Sequence, residues 1–557
     1  MPVERRSTDR EGQPYAGRWV ARVRGKIIAQ GATRAEAYNN GRSSRPKERL
    51  EIVFMFPVID HPLLKSVREL LPPDQPLYLV GGAVRDALLG RTTHDLDFAV
   101  PGGALKLARR LADKLPGAFF PLDEETDTAR VIVRRDDGGR DVLDFAGFRG
   151  PDLAADLRGR DFTVNAMAID LRSGEAIDPL GGAQDLREKR LRSCSETSLI
   201  DDPLRILRAV RQAAAFGFSI QPETRRLMKG AVPLLPRVSP ERQRDELFKM
   251  LEGPRPDACM RALELIDAFP LVLPELSGLK GIEQSAPHVY DVWSHTLAVL
   301  RHLEGILAAL SPEYDEGQAA GNADLLNGML VLRLGRYRGQ IGEHLGATLN
   351  ADRSARALLF FAALYHDVAK PLTKTVEAGG RTRFLGHDDQ GASLVMERGA
   401  ALRLSGDELE RLKTIVRNHM RIHFHTSRKL LGNDPSRKAI YRFFRDCGEA
   451  GVDLVLLAMA DFRATYEQTL KQDDWATCLD VCRLFLEAWY EKKAELVAPP
   501  QLLNGDTLIA ELEMSPGPEI GRLLEAIKEE QVLAHVSTRE QALVFARGWL
   551  AGERLHQ

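Results

Sequence analysis

Two aspartates, Asp95 and Asp97, lie at the spacing that carries chemistry most directly. They close the stretch 77–100, LYLVGGAVRDALLGRTTHDLDFAV, which reads as a short apolar strand, a glycine turn, an amphipathic helix from about Ala83, a polar turn and a second strand. Residues two apart in a strand share a face, so the two carboxylates project together. Such a pair of hard oxygens suits Mg²⁺, which is commonly held by one or two carboxylates plus substrate phosphates. Gly81 and Gly82 let the backbone come close to a ligand, and the helix that follows presents free N–H groups and a positive dipole end to phosphate. Arg85 adds a forked donor for the same anion. An Asp-x-Asp pair by itself is most often a surface turn; preceded by this glycine turn and this arginine, it defines a nucleotide site.

The elements that must hold those residues are set first by size. A chain of 557 residues exceeds one hydrophobic core and implies three or four domains. With 44% hydrophobic and 28% charged residues it has the composition of an ordinary globular protein, and a formal net charge of −2 excludes a uniformly basic nucleic-acid coat. Any nucleic-acid contact must then come from local basic patches. The five cysteines (Cys194, Cys259, Cys447, Cys478 and Cys482) are odd in number and form no CxxC pair, which reads as core thiols in a reducing cytosol. No run of 18 apolar residues and no signal-type start indicates membrane insertion or secretion, so a cytoplasmic location is expected.

GGAVRDALLG followed by DLD resembles the signature of the class II tRNA nucleotidyltransferases and the related bacterial poly(A) polymerases, within the polymerase-β-like nucleotidyltransferase superfamily. The resemblance implies an α+β chain: a head with a mixed sheet, then an all-α neck, an HD domain and a helical C-terminal region. The expected boundaries are a disordered segment 1–14, a small accessory strand-strand-helix module 15–56, the head 57–183, the neck 184–284, the HD domain 285–465 with an insertion at about 311–350, and the helical end 466–557. The module alternates as two strands around Arg24-Gly25, then a helix and a third strand, EIVFMF; its function is not readable, and a docking or stabilising appendage is the plain reading. Within the head, DVLDFAG reads as a strand carrying Asp144, the candidate third carboxylate beside Asp95 and Asp97, with Asp141 as competitor. Whichever points inward needs a partner, because an unpaired buried carboxylate is costly.

Two further motifs extend the resemblance. Residues 158–166, RGRDFTVNA, resemble the family's RRDFTxNA element, which implies recognition of the nucleotide's sugar and phosphates by Arg160. Gly159 stands where the doublet's first arginine would be, with Arg158 one residue earlier, and the role of Arg158 stays open. Residues 201–211, DDPLRILRAVR, match the nucleobase-reading helix: Pro203 suits a first helical turn behind an aspartate cap, and Arg205, Arg208 and Arg211 form one row. By that resemblance Asp202 and Arg205 read CTP or ATP, while Arg208 and Arg211 hold phosphate or position template residues. Residues 185–250 hold 14 Lys or Arg against 9 Asp or Glu, a local basic patch suited to a tRNA acceptor end.

Farther on, His295, His366-Asp367, His387, His419 and Asp461 fall mostly in apolar helical contexts, and their order resembles the HD superfamily of metal-dependent phosphohydrolases. Imidazole and carboxylate together suit a transition metal. His423 and His425 are further candidates without motif support. In the C-terminal region Asp506 reads as a helix start and Gly517-Pro518 opens the next helix. The function implied is template-independent addition of C and A to tRNA 3′ ends, with Asp95 and Asp97 holding two Mg²⁺ ions about 3.5–4 Å apart. Partial CC or A addition, poly(A) synthesis, and HD phosphohydrolysis with a vestigial head are the alternatives.

Overall fold

The computed structural model describes residues 15, 17–56, 59, 61–314, 325–350 and 353–554. Residues 1–14, expected to be disordered, and the core of the stretch after Ser311, expected to be flexible, lie outside the described residues. The chain divides into two compact units, Met1–Leu235 and Pro236–Gln557, with the division inside the span expected for the neck.

The first unit opens with a three-stranded antiparallel sheet, β1 (Arg18–Val23), β2 (Lys26–Gly31) and β3 (Glu51–Met55), ordered β2-β1-β3, with α1 (Arg34–Ser44) packed on it. The start of α1 is fixed locally: Thr33 Oγ accepts from Glu36 N, and the Glu36 carboxylate accepts from Ala32 N. Gly41 brings helix and sheet together, since a Cβ there would stand 2.6 Å from the Ala21 methyl carbon.

After α2 (Pro62–Leu70), the head is built on strands β4 (Tyr78–Val80), β5 (Asp95–Val100), β6 (Gly117–Asp123), β7 (Thr128–Arg134), β8 (Arg140–Gly147), β9 (Ala168–Asp170) and β10 (Ala176–Ile177). Their order is β10-β9-β4-β5-β8-β7-β6, with β5 and β8 parallel and every other pair antiparallel, so the sheet is mixed as expected. Alternation leaves Leu96, Phe98, Leu143 and Phe145 on the buried face, where the two Phe rings stack 4.9 Å apart. Burial of each such ring stabilises the sheet by about 1.5–3 kcal/mol, and that fixes which face is left for the polar residues. Helix α3 (Gly82–Leu88) joins β4 to β5, and α4 (Ala104–Ala112) packs on β6, β7 and β8. Beyond α5 (Leu153–Arg158), α6 (Gly182–Arg187) and α7 (Ser198–Asp201) comes α8 (Leu204–Phe216), one residue later than an Asp202 cap would place it; Asp202 Oδ1 still accepts from Leu204 N at 3.3 Å.

The second unit is helical. Ala355–Tyr365 is buried along nearly its whole length and packs with the helices Val292–Ala309 and Ala450–Tyr466, an arrangement that an apolar surface on all sides of a helix demands. In the C-terminal region, Leu508, Leu523, Ile527 and Ala546 belong to a separate apolar cluster. The helix Gly505–Leu512 is capped by Asn504, whose Oδ1 accepts from Thr507 N at 2.8 Å, so the start read at Asp506 shifts to Asn504.

Candidate functional site

Strand register assembles the head site. Asp97 of β5 is paired with Asp144 of β8, and neighbours in a parallel pair share a face, so Asp95, Asp97 and Asp144 line one side of the sheet. Asp141 lies three residues from Asp144 and so on the opposite face. There it is buried, with His94 Nδ1 at 2.8 Å and Arg135 at 3.3 Å. Asp144 is not free either: Arg130 on β7 grips it with two bonds of 2.8 and 2.9 Å. Asp95 is exposed at the strand's start, and Asp97 lies deeper. Burial pushes the Asp97 carboxyl above its usual range; Arg160 pulls against that, while Asp144 and Asp95 add to it. Three hard carboxylates converging on one face, one of them neutralised by an arginine, form a donor set that fits Mg²⁺.

The glycine turn closes on this group. Gly81 has φ +73°, and a Cβ there would stand 3.0 Å from Asp97 Oδ2 and 3.2 Å from an Arg160 nitrogen. Arg160 itself is anchored by Asp156 at 3.2 Å. Arg85, expected to fork onto the same anion, instead bonds Asp86 at 2.9 and 3.0 Å and Asn165 Oδ1 at 2.7 Å, with its guanidinium 4.4 Å from the Phe216 ring. It therefore braces α3 against the 158–166 segment and α8. Asn165 and Asp161 staple that segment through a 2.9 Å bond, and Arg208 lies 3.7 Å from Asp161.

Arg205 is buried and donates to the carbonyls of Gly159 (2.9 Å), Arg160 (3.1 Å) and Ser198 (3.2 Å) and to the Ser198 hydroxyl (2.7 Å). Burial lowers its pKa, and Asp161 and Asp202 oppose the effect. The same guanidinium thus fixes the loop that carries Arg160. Asp202 stands half-buried at the α7–α8 junction, Arg211 lies one turn beyond Arg208, Gly82 opens α3, and Arg158 is exposed at the end of α5.

The second unit brings all six HD candidates together. His295, His366 and Asp367 form one group with ligand atoms within 4.8 Å of one another, and Asp367, His387 and His419 form another, so Asp367 is common to both. Asp461 Oδ1 lies 3.0 Å from His295 Nε2, and Asp367 Oδ2 lies 3.1 Å from His366 Nε2. His295 Nε2 and His366 Nε2 are buried without a hydrogen-bond partner despite these approaches, while Asp367 Oδ2 keeps the Lys370 ammonium at 2.7 Å. Atoms that close without hydrogen-bond alignment suit lone pairs directed at a shared cation. Nδ1 of His366, His387 and His419 each lies 2.7 Å from a backbone carbonyl (Ala363, Phe384 and Val416). That contact fixes the ring and leaves Nε2 available to a metal. Burial opposes the charge on Asp367, but His366 and Lys370 outweigh it and hold its carboxyl well below the usual range.

Sequence reasoning missed Lys370, 2.7 Å from Asp367, although it lies one helical turn downstream, and His288, whose ring is 5.3 Å from His295. His423 meets Asp461 at 2.8 Å, whereas His425 packs on Phe485 away from the cluster. A third group, His61, His94 and Asp141, already holds the Arg135 guanidinium against His94 and Asp141. Among the described residues no helix is long and apolar enough to cross a membrane.

Three family models match: the Poly A polymerase head domain over residues 77–192, the probable RNA and SrmB-binding site of polymerase A over 217–279, and the HD domain over 331–451. An A-adding tRNA nucleotidyltransferase of Deinococcus radiodurans is 34% identical over 86% of this chain and 97% of its own length. A CC-adding tRNA nucleotidyltransferase of Thermus thermophilus is 34% identical over 85% and 93%. The solved Thermotoga maritima CCA-adding enzyme in complex with tRNA shares the fold with a TM-score of 0.54, at 23% identity over 88% of this chain and 96% of that one.

Proposed function

The chain belongs to the tRNA nucleotidyltransferase family, and from that premise we propose that it adds C and A residues to tRNA 3′ ends from CTP and ATP without a nucleic-acid template. The observation that carries this reading is the convergence of Asp95, Asp97 and Asp144 on one face beside the Gly81 turn. In the proposed reaction the tRNA 3′ hydroxyl attacks the α-phosphate of the bound nucleotide, and pyrophosphate leaves. Mg²⁺ held by Asp95 and Asp97 would lower the hydroxyl's pKa and neutralise charge on the leaving oxygen. Asp144, its charge balanced by Arg130, offers a third carboxylate on that face and is held in place by the two bonds. Arg160, aimed across Gly81, meets the phosphates and sugar. Asp202 presents the edge that selects the base, while the buried Arg205 fixes the loop that carries Arg160; Arg208 and Arg211 hold phosphate, and Arg85 braces the turn from behind. Rate enhancement then comes from positioning and charge stabilisation.

The Deinococcus and Thermus relatives, each aligned over nearly its whole length, are named A-adding and CC-adding, which favours a second reading: a partial enzyme that completes one section of the end. Transcripts lacking CCA, ending in CC or complete, incubated with CTP and ATP singly and together and then sequenced, separate the two. Growth of the shortest transcript to CCA followed by a stop supports the full activity. A halt at CC, or growth only from CC, supports the partial one.

For the second unit the proposal is a phosphohydrolase site that takes a transition metal such as Mn²⁺, Ni²⁺ or Zn²⁺. Its support is the set of orphaned buried atoms around Asp367. The cytoplasm is the proposed location, in keeping with five free thiols.

A further inference from the structure

The cations of the N-terminal module take no part in either site. Residues 17–56 hold nine Lys or Arg against three Asp or Glu, a net +6 on a chain whose formal charge is −2. The register gathers five of the nine at one end. Arg22 of β1 pairs with Ile27 of β2 and with Glu51, the first residue of β3, so the β1–β2 turn and the loop from Arg45 to Leu50 lie together. Arg24 reaches to within 4.0 Å of Glu48 across that end. Five exposed cations result: Arg24, Lys26, Arg45, Lys47 and Arg49. Among the described residues, Arg24 alone of these five is in an ion pair.

The other end of the small sheet is the one held to the head. There Trp19 and Phe54 lie side by side on β1 and β3, with the Arg187 guanidinium of α6 5.7 and 5.3 Å from their rings. Since β3 runs from Glu51 toward the head, the cationic end lies at the far tip from the connection.

We propose that this tip is a phosphate-backbone contact for the RNA substrate, a second point of attachment for tRNA outside the catalytic head. That the RNA is a tRNA rests on the function proposed above; the cations by themselves call only for a phosphate backbone. Loop residues Arg45, Pro46, Lys47, Glu48 and Arg49 and turn residues Arg24 and Gly25 offer no aromatic or long aliphatic side chain, and Leu50, at the loop's end, is packed against Gly41 of α1. A lipid surface would call for an apolar insertion beside the charges, whereas a phosphodiester backbone asks only for well-spaced cations.

The test uses the full chain with R24Q, K26Q, R45Q, K47Q and R49Q combined, after a thermal melt shows that the variant is folded. Anisotropy of labelled tRNA lacking CCA, with no nucleotide present, is followed from 50 to 200 mM salt. If three of the five cations meet phosphates, the log–log salt slope falls by about 2.7, so the wild type loses about 40-fold more affinity than the variant over that range. The KM for tRNA rises while kcat and the KM for CTP stay unchanged. An unchanged slope and KM overturn the proposal, and so does an unchanged slope with lost binding to phosphatidylserine vesicles. Because binding is read without catalysis, absence of nucleotide addition would sink the transferase reading alone.

Discussion

Substitution of Gly81 by alanine tests whether the glycine turn shapes the carboxylate site. Its backbone, φ +73° and ψ −137°, lies where an L side chain is strained by about 1–3 kcal/mol. The added methyl would stand 3.0 Å from Asp97 Oδ2, closer than nearly all real contacts, and 3.2 Å from Arg160. Neither neighbour can retreat at little cost, since Asp97 is fixed in β5 and Arg160 is tied to Asp156. For a unit of this size the strain corresponds to a fall in Tm of about 2–10 °C. Displacement of a metal-holding carboxylate by a fraction of an ångström should lower kcat by about 10- to 100-fold, given that about 1 Å can cost 10²-fold. Gly82→Ala is the control: its Cβ would come no closer than 3.3 Å, to the Arg85 guanidinium, and its φ is ordinary, so the backbone strain is absent. Calorimetry and single-turnover CTP incorporation on both variants check the reasoning. Equal behaviour of the two, or Gly81→Ala with wild-type Tm and kcat, refutes it.

Asp95→Ala with Asp97→Ala should abolish nucleotide addition and leave hydrolysis of a model phosphodiester untouched, while His366→Ala with Asp367→Ala does the reverse; loss of both activities in either folded variant would join the two sites. Arg130→Met removes both bonds to Asp144 and should reduce kcat about tenfold or more, with Arg130→Lys recovering part of it; unchanged turnover would show that Asp144 needs no partner. In the second unit, Arg353 grips the buried Glu408 at 2.6 and 2.9 Å, and Glu408 also accepts from Ser405 N. Glu408→Gln should then cost about 3–5 kcal/mol at neutral pH. Although burial opposes it, Arg353 and Ser405 lower the folded pKa of Glu408, so the wild-type advantage is full above the unfolded carboxyl pKa of about 4.3 and disappears as pH falls through the folded value. Melts from pH 7 down to 3 that show a constant gap would exclude this. Brief EDTA treatment should stop nucleotide addition at once, with Mg²⁺ restoring it, because Asp95 is exposed; metal in the second unit, enclosed by His366 and Asp367 at 0% and 1% exposure, should leave only on prolonged chelation, as followed by elemental analysis of the protein.

What could be read from the sequence follows from how far apart the deciding residues lie. Asp95 and Asp97 are two residues apart in one strand, so the period alone puts them on one face. The choice between Asp141 and Asp144 depended on the register of β8 against β5, some 47 residues earlier in the chain, and no local pattern encodes that. Arg85 illustrates the same limit: the sequence shows a guanidinium beside a glycine turn, but its partner Asn165 is 80 residues away, and that bond turns an expected phosphate ligand into a brace. Histidines of the second unit were legible as an ordered set because their order survives any packing. Their division into two groups around Asp367 was not, since it requires helices from residue 292 to residue 466 to converge. Even so, local grammar prepared each ligand. His366, His387 and His419 each turn Nδ1 to the carbonyl three residues earlier, a contact that the backbone supplies wherever histidine ends or begins a helical turn. Each ring is therefore oriented by its own segment, and tertiary packing has only to bring three oriented Nε2 atoms and one shared carboxylate together.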